Sequence, residues 1–209
     1  MPVKVAVIYY SSTGTTHQLA RAVEEGAREC GADVRFRKVQ DLVSEEAILS
    51  NTDRAAHDDS TRQVPRASLD DLEWADAIVF GTPSRYGLPT AELKQFLDTT
   101  GPLRGAGKLV NKIVSSFTTA ATRHGGQETT ITSLNNTFYH WGAIIVSPGY
   151  AGPVQDDEGH LHGTSFTSNN GEPDADRTAL NSARCQGRRV AEVASQFVVG
   201  RQRATASLT

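Results

Sequence analysis

A run of hydroxyl side chains lies near the start of the chain, between an apolar segment and a helix-like segment. Five of the six residues at positions 11–16 are Ser or Thr, and the other is glycine. A helix that begins directly after a strand leaves its first N–H groups without intrahelical partners, at the positive end of the helix dipole. Simple N-capping needs only one or two such residues, whereas neutral hydroxyl donors and a glycine also suit a bound phosphate. The run predicts a phosphate-monoester site formed by Ser11, Ser12, Thr13, Gly14, Thr15 and Thr16.

The same run lacks what the common nucleotide-binding motifs require. A P-loop needs a lysine beside a magnesium-ligating hydroxyl, and residues 9–16 contain no lysine and no acidic residue. The string GPLRGAGK at 101–108 has the wrong glycine spacing and predicts a turn. The dinucleotide fingerprint needs three glycines after the first strand, and only Gly14 is present. The positions that would carry the acidic residues of a receiver domain read YYSS and GTPS. These exclusions leave a mononucleotide held by uncharged donors.

Four runs rich in Val, Ile or aromatic residues predict buried strands, and VRFRKV at 34–39, which alternates apolar and basic residues, predicts an edge strand with one solvated face. They span 3–9, 34–39, 77–80, 112–117 and 143–146. Segments with helical spacing lie between them, at 19–27, 91–97, 127–139 and 176–199. Strands that alternate with helices form βαβ units with right-handed crossovers. We therefore expect an α/β doubly wound sandwich, with a five-stranded parallel sheet in the order 2-1-3-4-5 and helices on both faces.

Length and composition favour one domain. The chain has 209 residues and a formal net charge of −3, and its two cysteines have no metal-binding or redox spacing. We expect a single domain over 1–200, with insertions near 43–67 and 151–174 and a flexible tail at 201–209. No basic stripe favours a nucleic-acid partner, and no apolar run is long enough for membrane insertion. A cytoplasmic protein without a metal site is expected.

Two further loops follow the predicted third and fourth strands. The first reads GTPSRYGLPT at 81–90, and the second reads TTAATRHGGQE at 118–128. Carboxyl ends of neighbouring parallel strands meet at one edge of such a sheet, at its topological switch point. A planar heterocycle that carries a phosphate needs one phosphate loop and two walls, which these segments supply. Flavin mononucleotide (FMN) fits this arrangement best.

At this point the sequence resembles a known family. YYSSTGTT resembles the phosphate loop of flavodoxins, and GTPSRYG together with GGQE resembles the WrbA family of flavodoxin-like NAD(P)H:quinone oxidoreductases. FLDTTG at 96–101, IIVSPGY at 144–150 and ARCQGRRVAEVA at 183–194 extend the likeness over nearly the whole chain. The resemblance implies FMN as cofactor, NADH or NADPH as co-substrate and two-electron, ping-pong reduction of quinones. It also implies a homotetramer built as a dimer of dimers, with the two insertions as subunit contacts or lids.

The resemblance assigns residues to each part of the site. It implies that residues 11–16 bind the FMN phosphate. It implies that the ribityl chain and ring are held by Thr82, Pro83, Ser84, Arg85, Tyr86 and Gly87. It implies that the polar edge of the ring contacts Thr119, Ala120, Ala121, Thr122, Arg123, His124 and Gly125. Arg104, His140 and Trp141 are the candidates for the substrate slot, beside Arg85, and no side chain is named as an obligatory acid or base.

Some positions depart from the family pattern, chiefly on the substrate side. Thr13, Gly14 and Thr15 replace a common aromatic-Gly-His sequence, Arg104 stands near a common aromatic residue, and Trp141 replaces a common histidine. A one-electron carrier of the flavodoxin type is the alternative function, although such carriers are shorter and more acidic than this chain. A regulatory module that contacts a DNA-binding protein is a third class, and the charge pattern gives it no support.

Overall fold

A parallel sheet forms the centre of the protein. The computed structural model describes residues 2–151, 161–168 and 174–206. The strands are β1 (Lys4–Tyr9), β2 (Asp33–Lys38), β3 (Ala77–Arg85), β4 (Leu88–Pro89), β5 (Ile113–Ala120), β6 (Ile144–Ile145) and β7 (Ser165–Thr167). The main order is β2-β1-β3-β5-β6, all parallel, which is the predicted 2-1-3-4-5 arrangement of the five main strands.

Helices connect these strands. They are α1 (Thr15–Glu29), α2 (Glu45–Leu49), α3 (Thr52–Ser60), α4 (Leu69–Trp74), α5 (Ala91–Asp98), α6 (Gly101–Gly105), α7 (Gln127–Trp141) and α8 (Arg177–Ala206). Several begin at side chains that cap the first turn: Asn51 accepts from the Arg54 N–H at 2.9 Å, and Thr90 caps α5. Among the described residues, no helix has the length and apolar character needed to cross a membrane.

The two faces of the sheet bury separate hydrophobic cores. Val5, Val7 and Tyr9 of β1 belong to a core shared with α1 and α8, whereas Ala6 and Ile8 belong to one shared with α4, α5 and α7. This alternation follows from the two-residue period of a strand. The predicted doubly wound α/β sandwich is confirmed.

Helices α1 and α8 cross at two glycines. A Cβ atom built on Gly26 would overlap the carbonyl oxygen of Arg184, and one built on Gly187 would overlap the carbonyl oxygen of Val23. Each glycine therefore allows the backbone of the opposite helix to approach. This crossing fixes α1 on the sheet, and α1 begins at the phosphate loop.

The last strand is divided into two short pieces. β6 pairs with Ile113 and Val114 of β5, and β7 pairs with Thr118–Ala120 at the other end of β5. The predicted insertion at 151–174 begins in the connection between β6 and β7 and continues beyond β7. Residues 152–160 and 169–173 of this insertion lie outside the described residues.

Several boundaries differ from the sequence predictions. The third strand extends to Arg85 and the fourth to Ala120, so the first residues of both predicted loops are strand. Residues 101–105 form α6 rather than a turn, and the polar segment 43–67 holds α2 and α3. The final helix continues through 201–206, where a tail was expected, and 207–209 lie outside the described residues. The short elements α4, β4 and β7 were not predicted.

Candidate functional site

The phosphate loop joins the end of β1 to the start of α1. Gly14 is the N-cap residue and has a φ of 109°, a conformation that favours glycine. Its N–H donates to Ser11 Oγ at 3.1 Å, which closes the loop. Among the described residues no side chain caps the first turn of α1, and this turn contains no acidic residue. The first N–H groups of α1 are thus left for a ligand, and the local charge favours an anion.

A cleft of about 260 Å³ opens beside this loop. Its lining residues are Ser11, Ser12, Thr13, Thr15, Thr16, Pro83, Arg85, Thr119, Ala120, Ala121 and Ser168. None of them is acidic, and Arg85 carries the single positive charge among them. Pro83 and Thr119 are register partners on β3 and β5, so the ends of these strands meet at the cleft, as predicted. The donor set suits a phosphate monoester with an uncharged polar chain attached.

A buried hydrogen bond ties the phosphate loop to the neighbouring strand. The hydroxyls of Thr16 and Thr119 lie 2.7 Å apart, and both side chains are buried. The contact joins the first turn of α1 to the end of β5. It therefore fixes one wall of the cleft relative to the phosphate loop.

The turn between β3 and β4 follows Arg85 at the edge of the cleft, although its own residues Tyr86 and Gly87 do not line the cleft. Tyr86 and Gly87 both have positive φ values, 54° and 77°, as a type I′ hairpin turn requires. Tyr86 is a non-glycine residue in this strained region, and its ring is fully exposed. Gly126 packs so closely against this turn that a Cβ atom there would lie 2.6 Å from Gly87 Cα.

Two predicted residues support the walls from within. The Thr82 side chain is fully buried and accepts from the Thr90 N–H at 3.1 Å. Ser84 Oγ donates to the Gly125 carbonyl at 2.6 Å and accepts from Thr130 Oγ1 at 2.9 Å. Neither side chain lines the cleft, so both hold the loops together.

The third loop is exposed and is held at its base by a buried glutamine. Thr122, Arg123 and His124 are exposed, beyond the lining of the cleft. Gln127 Nε2 donates to the Thr122 carbonyl at 3.0 Å and to Thr167 Oγ1 at 3.1 Å. Gln127 belongs to the GGQE motif, but the sequence alone did not predict this role.

The three predicted substrate residues are not brought together at the cleft. Trp141 is 3% exposed and packs against Phe80 and Phe138, with ring centroids 6.0 and 5.5 Å away. It is a core residue, so the structure gives no support to its predicted contact with substrate. Arg104 and His140 are exposed near the ends of α6 and α7, and neither lines the cleft.

Sequence reasoning missed two residues beside the phosphate loop. Ser168 lines the cleft, and its N–H donates to the Ala120 carbonyl at 2.8 Å. His57 of α3 approaches Gly14 from another side. Both lie in polar segments whose composition gives no signal of a contact with a loop far away in the sequence.

Buried Tyr9 and half-buried His17 form a pair of ring side chains next to the loop. The hydroxyl of Tyr9 and Nδ1 of His17 are 2.6 Å apart, and the His17 ring lies 5.5 Å from the His57 ring. Burial, together with the neighbouring His57, lowers the pKa of His17 to about 4. Burial also raises the pKa of Tyr9, so both groups are neutral near pH 7.

Comparisons with known proteins agree with this geometry. A relative from Deinococcus radiodurans, named NAD(P)H dehydrogenase (quinone), is 40% identical over 200 residues, 94% of this chain and 98% of the relative. One from Paracoccus denitrificans with the same name is 41% identical over 97% of this chain and 99% of the relative.

Solved structures show the same fold. The flavodoxin, WrbA-like protein from Agrobacterium tumefaciens is 26% identical over 93% of this chain and 98% of its own, with a TM-score of 0.67. A flavodoxin from the domain Archaea, 16% identical, covers 92% of this chain and 99% of its own at a TM-score of 0.60, a likeness in fold alone. The family model described as NADPH-dependent FMN reductase matches residues 3–156. Because the family model matches most of its length, the chain belongs to the NADPH-dependent FMN reductase family.

Proposed function

We propose that the protein is an FMN-dependent NAD(P)H:quinone oxidoreductase, which takes two electrons from NADH or NADPH and delivers them to a quinone in a second half-reaction. The observation that carries this proposal is the cleft at the ends of β1, β3 and β5, which has an uncapped helix N-terminus, neutral hydroxyls and no carboxylate among the described residues that line it. The names of relatives about 40% identical over nearly the full length support the same activity.

The residues of the cleft divide the work of holding the cofactor. Hydroxyls of the phosphate loop and the first N–H groups of α1 bind the phosphate, and Arg85 adds one positive charge nearby. Pro83 and Arg85 line one wall of the cleft, while Thr119, Ala120 and Ala121 line the other. FMN, when bound, supplies the two-electron redox chemistry. The protein positions the cofactor and leaves an opening for flat substrates, and it needs no side chain as an obligatory acid or base.

The substrate opening and the assembly belong to the same proposal. Arg104 and His140 are exposed, so they can serve the slot only if a substrate or a neighbouring subunit extends the cleft toward them. We propose that the protein is cytoplasmic and assembles as a homotetramer. In this assembly the segments 43–67 and 151–174 serve as subunit contacts or lids. Light scattering after size-exclusion chromatography, at micromolar concentration, tests the assembly, and a monomer would contradict it.

Anaerobic absorbance spectroscopy tests the activity. The protein is reconstituted with FMN, mixed with NADH or NADPH, and then mixed with benzoquinone. We expect rapid bleaching of the flavin band followed by its recovery. A bound flavin that neither nicotinamide bleaches would indicate the one-electron carrier instead, and failure to bind flavin would overturn the assignment of the cleft.

A matched pair of variants ties the result to the cleft. Thr13→Asp puts a carboxylate beside the bound phosphate, and like charges repel. We expect FMN affinity to fall by about 10-fold to 150-fold, because interactions with charged groups carry about 1.5–3 kcal/mol each. Thr132→Asp makes the same change at an exposed position on α7 and leaves FMN affinity unchanged.

A further inference from the structure

His57 connects α3 to the phosphate loop. A Cβ atom built on Gly14 would lie 3.5 Å from Nδ1 of His57, and the imidazole forms a hydrogen bond with the backbone of Ser11. The ring lines a second cavity of about 360 Å³, which shares Ser11 and Ser12 with the cofactor cleft. The imidazole therefore contacts the loop from the second cavity and does not line the cleft itself.

The groups around His57 keep its ring neutral when no ligand is bound. Burial lowers the pKa of His57, and Lys38 of β2 lowers it further, while Asp58 and the hydrogen bond to Ser11 oppose this. The ring of His57 lies against the ring of His17. The other charged and titratable groups around these two rings are Tyr9 of β1, Arg21 of α1, Lys38 of β2 and Asp58 of α3.

A bound phosphate monoester changes this balance. Its second pKa is about 6, so it carries nearly two negative charges at neutral pH. A negative charge close to an imidazole favours the protonated form. We propose that His57 is a positioning residue that couples cofactor binding to proton uptake, because it becomes protonated when a phosphate monoester occupies the loop it contacts. This inference rests on the proposed binding of FMN at that loop.

The direction of the pH effect follows from linkage. In the free protein the pKa of His57 lies below its usual range, and in the complex it is higher. Between these two pKa values binding takes up a proton, so His57 strengthens phosphate binding as the pH falls. Protonation of the phosphate itself weakens binding as the pH falls. This effect is the same in wild type and variants, so it cancels in the ratio of their association constants.

Two substitutions distinguish the effect of protonating His57 from the effect of its contact with the loop. His57→Gln keeps a donor for the Ser11 backbone but cannot titrate near neutral pH, whereas His57→Ala removes both. Asp59→Asn is the control, because Asp59 is exposed on the same helix and pairs with the exposed Arg62. Riboflavin is the control ligand, since it lacks the phosphate.

The experiment measures binding of FMN and of riboflavin to the full chain by flavin fluorescence between about pH 6.5 and 8.5. We expect the ratio of FMN association constants, wild type over His57→Gln, to rise about threefold to tenfold as the pH falls across this range. The ratio for riboflavin stays constant, and Asp59→Asn behaves as wild type. His57→Ala weakens FMN binding about tenfold even at the upper end of the range, because the loop loses its contact.

Calorimetry in buffers of different ionisation enthalpy gives a second readout. Wild type takes up a fraction of a proton on binding FMN near pH 7, and His57→Gln takes up less. Equal pH profiles and equal proton uptake in the two proteins would overturn the inference while leaving the proposed function intact. Failure of the wild type to bind FMN would overturn both, and a pH-dependent ratio for riboflavin would show that the proton acts on something other than the phosphate.

Discussion

Replacing Gly26 with alanine tests the crossing of α1 and α8, which holds the start of α1 at the cofactor cleft. Inside a helix this change usually stabilises a protein by about 1 kcal/mol, because glycine has the poorer helix propensity. Here the new methyl group would overlap the backbone carbonyl of Arg184, which cannot rotate away. Overpacking of this kind costs about 1–3 kcal/mol, and contact with backbone places it at the upper end.

The net effect is a loss of about 2 kcal/mol in the free energy of unfolding, which follows from about 3 kcal/mol of overpacking less about 1 kcal/mol of helix propensity. For a chain of this length the melting temperature falls by about 4–8 °C. Gly200→Ala is the matched control in α8, because nothing lies within 4 Å of a Cβ atom there. We expect this control to raise the melting temperature by about 2–4 °C.

Thermal unfolding of the cofactor-free protein, followed by circular dichroism, measures both effects. The double variant Gly26→Ala, Gly187→Ala should lose less than the sum of the single variants, since one separation of the helices relieves both overlaps. Opposite signs for Gly26→Ala and Gly200→Ala are the essential result. A stabilised Gly26→Ala variant would refute the close crossing and, with it, the account of how α1 is fixed.

Three further perturbations test the site and its surroundings. Thr16→Val leaves the buried hydroxyl of Thr119 without its partner, so we expect a loss of about 1–3 kcal/mol in urea unfolding and weaker FMN binding by titration; unchanged values would contradict the link between loop and strand. Trp141→Ala should lower stability by about 3–5 kcal/mol, whereas the KM for benzoquinone of the folded enzyme stays the same; a raised KM at wild-type stability would restore its role in the slot. The native state holds His17 neutral down to about pH 4, while the unfolded chain takes up its proton below about pH 6.5, so stability should fall between these values; an equal slope in His17→Gln would contradict this assignment.

The parallel sheet was predictable from the sequence because β1, β3 and β5 are buried on both faces and read as apolar runs, whereas β2 shows the two-residue alternation of an edge strand. The phosphate loop was predictable because helix capping explains only one or two of its five hydroxyls. The strand ends were set too early at 80 and 117, since Thr82 and Thr118 are polar but pair within the sheet and satisfy their hydroxyls inside the protein. Polarity alone does not distinguish such residues from loop residues.

Long-range contacts account for what the sequence could not predict. Ser168 reaches the cleft only because β7 pairs with the end of β5, in a register that no local pattern encodes. His57 reaches Gly14 through the packing of α3, 43 positions away in the chain. Trp141 was placed in the substrate slot by analogy with a histidine, but its ring faces Phe80 in the core.

The division of the last strand has a consequence for how such proteins can diversify. Each half-strand forms its own hydrogen bonds with β5, so the chain between them can be lengthened or exchanged without shifting the register of either half. The entropic cost of a longer connection grows only slowly with its length. Because β7 leads directly to Ser168 in the cleft, this edge of the sheet can accept new segments next to the cleft. Substrate preference can therefore change there while the rest of the cleft stays the same.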